Sequence, residues 1–500
     1  MATRPTTRPR ERNTAASLAL AGVGWALAMA IPLLAAWLAS SLAAYAHHRA
    51  WQSALIGVVL FPLAPGVWEL AATLRAGPGK RALERRDRLL LRTLFLSVAF
   101  LVVLLALFPK KAFTALATRG DWMFDGRTGE AADKGRALTH AAARGLEWLY
   151  LAAREEPFDT SDKPPPANEL GGEPAPSARV QPSAAPPPSA TGSAPVDVAP
   201  TSTAPPPAPA KPEFVWPAPA RLSPLVQTLP AEAEASPATL GAYIAQHEPT
   251  QSERARAVHD WVADRIAYDG PAYREGRRTP QDAATVFRTR VGVCAGYARV
   301  FAEVAKAAGL EARYVVGTVR GLGMRPDGEL HAWNAVKIDG AWALVDTTWD
   351  SGHLDGAKFI KEYRTIYHRT PPEAFRVDHL PDEARWQLAH DPWERGEFFR
   401  RPMLSAEFFA DGLGLRSPER SQVTVNGAFT IELENPKHLF LIAEDHNAGT
   451  RHSCAVTREG AKAEARCPVD SMGAHDVKLF ASTVQYGTYH YVGHFEVTRF

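Results

Sequence analysis

Cysteine is scarce in this sequence: there are three among 500 residues, and no two stand at the short spacing of a ligand pair. That argues against a structural zinc site. Charge of one sign is missing as well, with 56 lysines and arginines against 54 aspartates and glutamates and a formal net charge of +2. The basic residues that do cluster have no aromatic or base-reading motif beside them, so no nucleic-acid partner is expected. No internal repeat is visible, and nothing in the pattern calls for a cofactor or a metal.

What is there is one group of residues in a fixed order: Val293-Cys294-Ala295-Gly296-Tyr297, then His331-Ala332-Trp333-Asn334, then Val345-Asp346-Thr347-Thr348-Trp349. Tyr297, Phe301, Val304, Ala305 and Ala308 recur at helical spacing, and Gly309 ends the run. Gly292 lets the chain turn tightly, so Cys294 falls in the first helical turn, where unpaired backbone N–H groups favour a thiolate over a thiol. Residues 311–318, 331–338 and 341–345 read as strands, with Asp339-Gly340 as the hairpin turn between the last two. That hairpin brings His331 and Asp346 together. Asp346 then accepts from one ring nitrogen and leaves the other for the thiol, which is the order of nucleophile, base and orienting acid that thiol acyl transfer needs. The Cys294 backbone N–H is one donor for a developing oxyanion. Gln281, thirteen residues upstream, is a second candidate whose role stays unassigned. For Tyr297, Trp333 and Trp349, core packing and contact with a substrate groove both remain open.

Over 279–350 these motifs resemble the core of the transglutaminase-like superfamily: Gly292-Val293-Cys294 at a helix start, His331-Ala332-Trp333 on a strand, and Asp346-Thr347-Thr348-Trp349 on the next. The longer stretch, with Arg290-Val291 ahead of the cysteine and Pro371-Pro372-Glu373 and Asp391-Pro392-Trp393 downstream, is similar to the kyphoscoliosis peptidase-type branch. The resemblance implies a papain-like α+β core in which Cys294 is the nucleophile, His331 the base and acid, and Asp346 the orienter. It also implies protein or peptide substrates.

The amino-terminal third belongs to another environment. Three apolar runs, at about 15–46, 54–74 and 89–109, each approach the roughly 20 residues that cross a bilayer, so 1–118 reads as a membrane region in contact with lipid. Pro62 and Pro65 interrupt the second run and leave a re-entrant hairpin as its alternative. Arg75, Lys80, Arg81, Arg85, Arg86, Arg88 and Arg92 lie between the second and third runs, whereas the first loop has only Arg49 with two histidines. This bias puts the 75–92 stretch in the cytoplasm and the carboxy-terminal region outside a bacterial inner membrane, although Lys110 and Lys111 count against it.

Residues 119–162 read as a partly helical juxtamembrane segment. The stretch 163–220 holds 18 of the 41 prolines, mixed with Ala, Ser and Thr, and so reads as a disordered linker. A catalytic domain is expected over 222–398. Short alternating runs at 422–425, 429–433 and 490–497 point to a β-sandwich-like domain over 399–500. Cys454 and Cys467 would pair there in an oxidising compartment, or else stay as two thiols. The expected whole is a membrane-anchored, cofactor-independent cysteine peptidase or amidase, with a cell-envelope protein as a conceivable partner. A protein-crosslinking transglutaminase and a non-catalytic scaffold with a retained triad are the alternatives.

Overall fold

Two amphipathic helices and a hairpin make the part of the fold that carries the chemistry. The helix Gln251–Arg265 begins at Thr250, whose hydroxyl accepts from the Glu253 N–H while the Glu253 side chain returns to the Thr250 N–H, a capping box. It buries Val258, Trp261 and Val262 against Tyr297, Phe301 and Val304 of the helix Cys294–Ala307 and against Val336, Ile338 and Val345 of the sheet, in one hydrophobic cluster. Each such side chain contributes roughly 1.5–3 kcal/mol on burial. The sheet has five strands, β1 (Glu311–Val319), β2 (Glu329–Ile338), β3 (Ala341–Val345), β4 (His368–Thr370) and β5 (His379–Pro381), in the order β4-β3-β2-β1-β5. In the β2–β3 hairpin, Asn334 faces Val345 and Ile338 faces Ala341. Asp339 and Gly340 both turn with positive φ, at 52° and 88°, the conformation a two-residue turn needs to match the twist of the strands.

The computed structural model describes residues 14–76, 83–152, 214–321, 324, 327–447 and 449–500. The expected linker therefore lies outside the described residues up to 213. Its last part is held: Trp216 Nε1 donates to the Ile366 carbonyl at 2.8 Å, and the Ala218 carbonyl accepts from Thr365 Oγ1 at 2.5 Å. By contacts the chain forms two units, one of Thr160–Thr318 with Leu330–Pro392, the other of Met1–Asp159, Val319–Glu329 and Trp393–Phe500. The site lies in the first.

Within the second unit, three helical stretches among the described residues are long and apolar enough to cross a membrane: Ala28–Tyr45, Ala50–Arg75 and Arg85–Leu107. The second is one helical run and not a hairpin. Pro62 lacks an N–H donor, and the turn around it widens into the π-helical stretch Val59–Leu63, with Phe61 off helical geometry. Glu69, with only 3 % of its side chain exposed, pairs with Arg88 at 2.8 Å and Arg92 at 2.6 Å, tying the second stretch to the third. The helix Pro109–Arg119 that follows is buried from Ala112 onward, and the Ala117 carbonyl accepts from Arg400 Nη1 at 2.8 Å.

The same unit ends in strands. One sheet orders Met403–Leu404, His490–Arg499, Gly473–Ser482, Phe440–Asn447 and Thr450–Ser453, with Gln422–Val425 also beside His490–Arg499; the other orders Gly414–Ser417, Ala428–Glu434, Lys462–Pro468 and Ala455–Glu459. Strict alternation explains the layers. Along Lys462–Pro468 every second residue, Ala463, Ala465 and Cys467, is buried. Phe429 of one sheet meets Phe495 of the other at 5.6 Å between ring centres. Cys454 and Cys467 form a disulfide, and Cys294 is the free thiol.

Candidate active site

Cys294 is the first residue of its helix, after Val293, and only 3 % of it is exposed. Its own N–H, at the first helical position, has no intrahelical acceptor. The entry into this helix is packed tightly enough to require two glycines. A Cβ on Gly292 would lie 2.9 Å from Val286 Cγ1, and one on Gly296 would lie 2.5 Å from Gln281 Oε1. Gln281 thus reaches the helix start in space despite its distance in sequence. Its Oε1 accepts from the Val293 N–H at 2.9 Å, and its Nε2 donates to Thr279 Oγ1 at 2.8 Å. The group it turns to the helix start is an acceptor, which braces the turn and is the wrong polarity for an oxyanion.

The hairpin supplies the other two groups. His331 Nε2 donates to Asp346 Oδ2 at 2.8 Å, with both residues buried. The ring also hydrogen-bonds Cys294, for which Nδ1 is the nitrogen left. Burial opposes a charged ring, but the Asp346 carboxylate and Cys294 beside it push the imidazole of His331 up to about 10. Burial also opposes charge on Asp346, yet His331, and after it His379, hold that carboxyl well below the usual carboxylate range. Its second oxygen, Oδ1, accepts from the Thr348 N–H at 2.8 Å. The loop beyond is pinned from behind, since Asp350 Oδ2 accepts from His259 Nε2 and from the Tyr367 N–H, both at 2.9 Å.

One residue of the site escaped the sequence reading. His379 is fully buried, with Nε2 3.1 Å from the same Asp346 Oδ2 and Nδ1 2.6 Å from Asp378 Oδ1. Its ring sits among Phe375, Trp349, Trp333 and Tyr367, at 4.2, 4.5, 5.1 and 5.2 Å between centres. Trp333 and Trp349 therefore pack around this histidine. Tyr297 is also core: its hydroxyl donates to the Ile266 carbonyl at 2.8 Å, and burial pushes its phenol up. The only sequence signal for His379 was its place next to an aspartate.

By donor type His331, Asp346 and His379 could hold a metal ion, their ligand atoms lying within 4.8 Å of one another. The two Nε2 atoms, however, converge on one carboxylate oxygen at 2.8 and 3.1 Å, which is hydrogen-bond spacing. A hydrogen-bonded cluster accounts for the group. What the cluster and Cys294 can do together is hold a buried thiol beside an imidazole that a buried carboxylate keeps charged.

Residues 238–347 match the profile of the transglutaminase-like superfamily. Kyphoscoliosis peptidase of Homo sapiens is 33% identical over 244 residues, covering 47% of this chain and 37% of the relative, and that of Mus musculus matches to the same extent. Hillarin of Drosophila melanogaster is 27% identical over 161 residues, covering 28% of this chain and 20% of the relative. A solved structure titled as that of a TGase covers 25% of this chain and 34% of its own at 22% identity and a TM-score of 0.20, too low to bear on the fold. The chain spans little more than a third of the kyphoscoliosis peptidases it matches. With three motifs of the superfamily meeting at one buried cluster, this chain carries a transglutaminase-like domain of the branch that includes kyphoscoliosis peptidase.

Proposed function

We propose that this chain is a membrane-anchored cysteine peptidase or amidase that cleaves peptide or carboxamide bonds through a thioester. The observation that carries this reading is the buried, hydrogen-bonded array of Cys294, His331 and Asp346 at a helix start. In the proposed reaction the Cys294 sulfur attacks the carbonyl carbon, a C–S bond forms, and charge gathers on the carbonyl oxygen near the Cys294 N–H. His331 then passes its proton to the leaving amine as the C–N bond breaks. Water, deprotonated by His331, releases the acid and restores the thiol. Hydrolysis is favoured over transfer to a second amine because the relatives similar over 244 residues are named peptidases.

The anchor in this reading is the set of three apolar helices, and the domain lies on the side away from the arginine-rich 75–92 stretch. In support, His47, in the loop after the first helix, meets Thr498 Oγ1 through Nδ1 at 2.6 Å, so that loop and the terminal strand share a side. A bacterial inner membrane with the domain outside is the proposed location.

The test uses the full chain in detergent. Iodoacetamide should modify Cys294 selectively near neutral pH, and a peptide library should be cleaved by the wild type but not by C294A or H331A. New amine-linked adducts in the presence of a primary amine would select cross-linking instead. Slow alkylation that is indifferent to His331, with no product of either kind, would reject the enzyme reading in favour of a scaffold.

A further inference from the structure

His379 occupies a place in the core that packing alone does not require to be polar. Its cage of Phe375, Trp349, Trp333 and Tyr367 would accept an apolar ring of similar size. Instead both of its nitrogens face carboxylates, Asp378 at 2.6 Å and Asp346 at 3.1 Å. Asp378 is fixed in turn, its Oδ2 accepting from the Tyr367 hydroxyl at 2.6 Å. An unbroken chain of buried polar groups therefore runs from Tyr367 through Asp378, His379, Asp346 and His331 to Cys294.

The consequence falls on Asp346. Its Oδ1 is held by backbone N–H groups, whereas Oδ2 must serve His331, which gives up and regains a proton in every proposed cycle. A carboxylate oxygen with one partner that changes charge would be poorly fixed and costly to keep ionised at 1 % exposure. A second N–H donor on the same oxygen removes both difficulties. We propose that His379 is a positioning residue for the reaction proposed above: by donating to Asp346 Oδ2 it fixes the carboxylate that orients His331 toward Cys294. The groups facing the His379 ring are the Asp346 and Asp378 carboxylates, the His331 ring at 5.7 Å between centres and the Tyr367 phenol, with Trp333, Trp349 and Phe375 uncharged.

Two substitutions separate this role from core packing, because they place an amide N–H at different depths. In H379Q it reaches the level of Nε2 and can still donate to Asp346; in H379N it reaches only the level of Nδ1, toward Asp378. The experiment measures the pH dependence of Cys294 alkylation by iodoacetamide in the full detergent-solubilised chain, with near-ultraviolet circular dichroism as a check on folding. H379N should alkylate at least about 10-fold more slowly near neutrality, as expected for a displaced reacting group. Its acid limb should also move to higher pH, because an imidazolium less firmly oriented by Asp346 stabilises the Cys294 thiolate less. H379Q should stay near the wild-type rate and limb. Equal behaviour of the two variants, whether both match the wild type or both lose reactivity and fold together, would overturn the proposal and leave His379 as a core residue. A wild type whose Cys294 is inert would instead sink the reading of the site as an enzyme, so the two failures are distinguishable.

Discussion

Asp346 and His331 each carry the charge that burial disfavours, and each does so because of the other. Replacing the carboxylate by an amide of the same shape should expose this. D346N should lower kcat/KM by about 10³–10⁴-fold, the scale seen when an orienting aspartate is neutralised. It should also bring the alkaline limb of kcat/KM down from near 10, since burial would then strip from His331 the proton it passes to the leaving amine. An unchanged alkaline limb would mean that Asp346 does not hold that proton. The same shifts bear on stability. His331, raised in the folded state, stabilises fully below an unfolded value of about 6.5, and that contribution is lost as pH rises through about 10. Asp346, depressed in the folded state, stabilises fully above an unfolded value of about 3.9, and its contribution is lost as pH falls through its folded value. Wild-type Tm should therefore decline more between about pH 6 and pH 10 than that of H331A, a difference that calorimetry at the two pH values would measure.

At the scale of elements, the helix from Cys294 and the β2–β3 hairpin were legible because each is written locally: one in the 3.6-residue spacing of Tyr297, Phe301 and Val304, the other in Asp339-Gly340 between apolar runs. β5 was not. It is three residues long, has no alternation to read, and reaches the site only because it joins the sheet next to β1. Gly317 on β1 makes that approach close. A Cβ there would lie 2.2 Å from the Leu380 carbonyl oxygen and 2.5 Å from Trp333 Cη2. G317A should thus destabilise the domain by about 1–3 kcal/mol, the usual cost of overpacking. Because the strain falls on β5 and Trp333, it should also slow Cys294 alkylation under conditions where the domain is still folded. Urea titration followed by tryptophan fluorescence, with alkylation measured in parallel, checks both. A variant as stable as the wild type would show that β5 shifts without cost.

At the scale of the molecule, the apolar runs correspond to three helical stretches long and apolar enough to cross a membrane and the short alternating runs to the strands of the terminal region, while most of the proline-rich stretch lies outside the described residues. Nothing local in 109–152 announced that it would pack against residues near 400, because contacts such as Arg400 with Ala117 join segments 283 apart. The topology is tested by alkaline phosphatase fusions after Thr118 and after Gly77. Activity from the first alone is expected, and activity from the second alone would invert the arrangement. Glu69 adds a constraint of its own. A glutamate and two arginines within apolar helices are expensive to insert singly and much less so as the ion-paired set they form here. With the proposed membrane anchor, insertion would then not proceed helix by helix: the second and third stretches would leave the translocon together, as a hairpin whose charges have already met. E69A would leave both arginines uncompensated, and glycosylation mapping should find the third span failing to integrate although none of its own residues has changed.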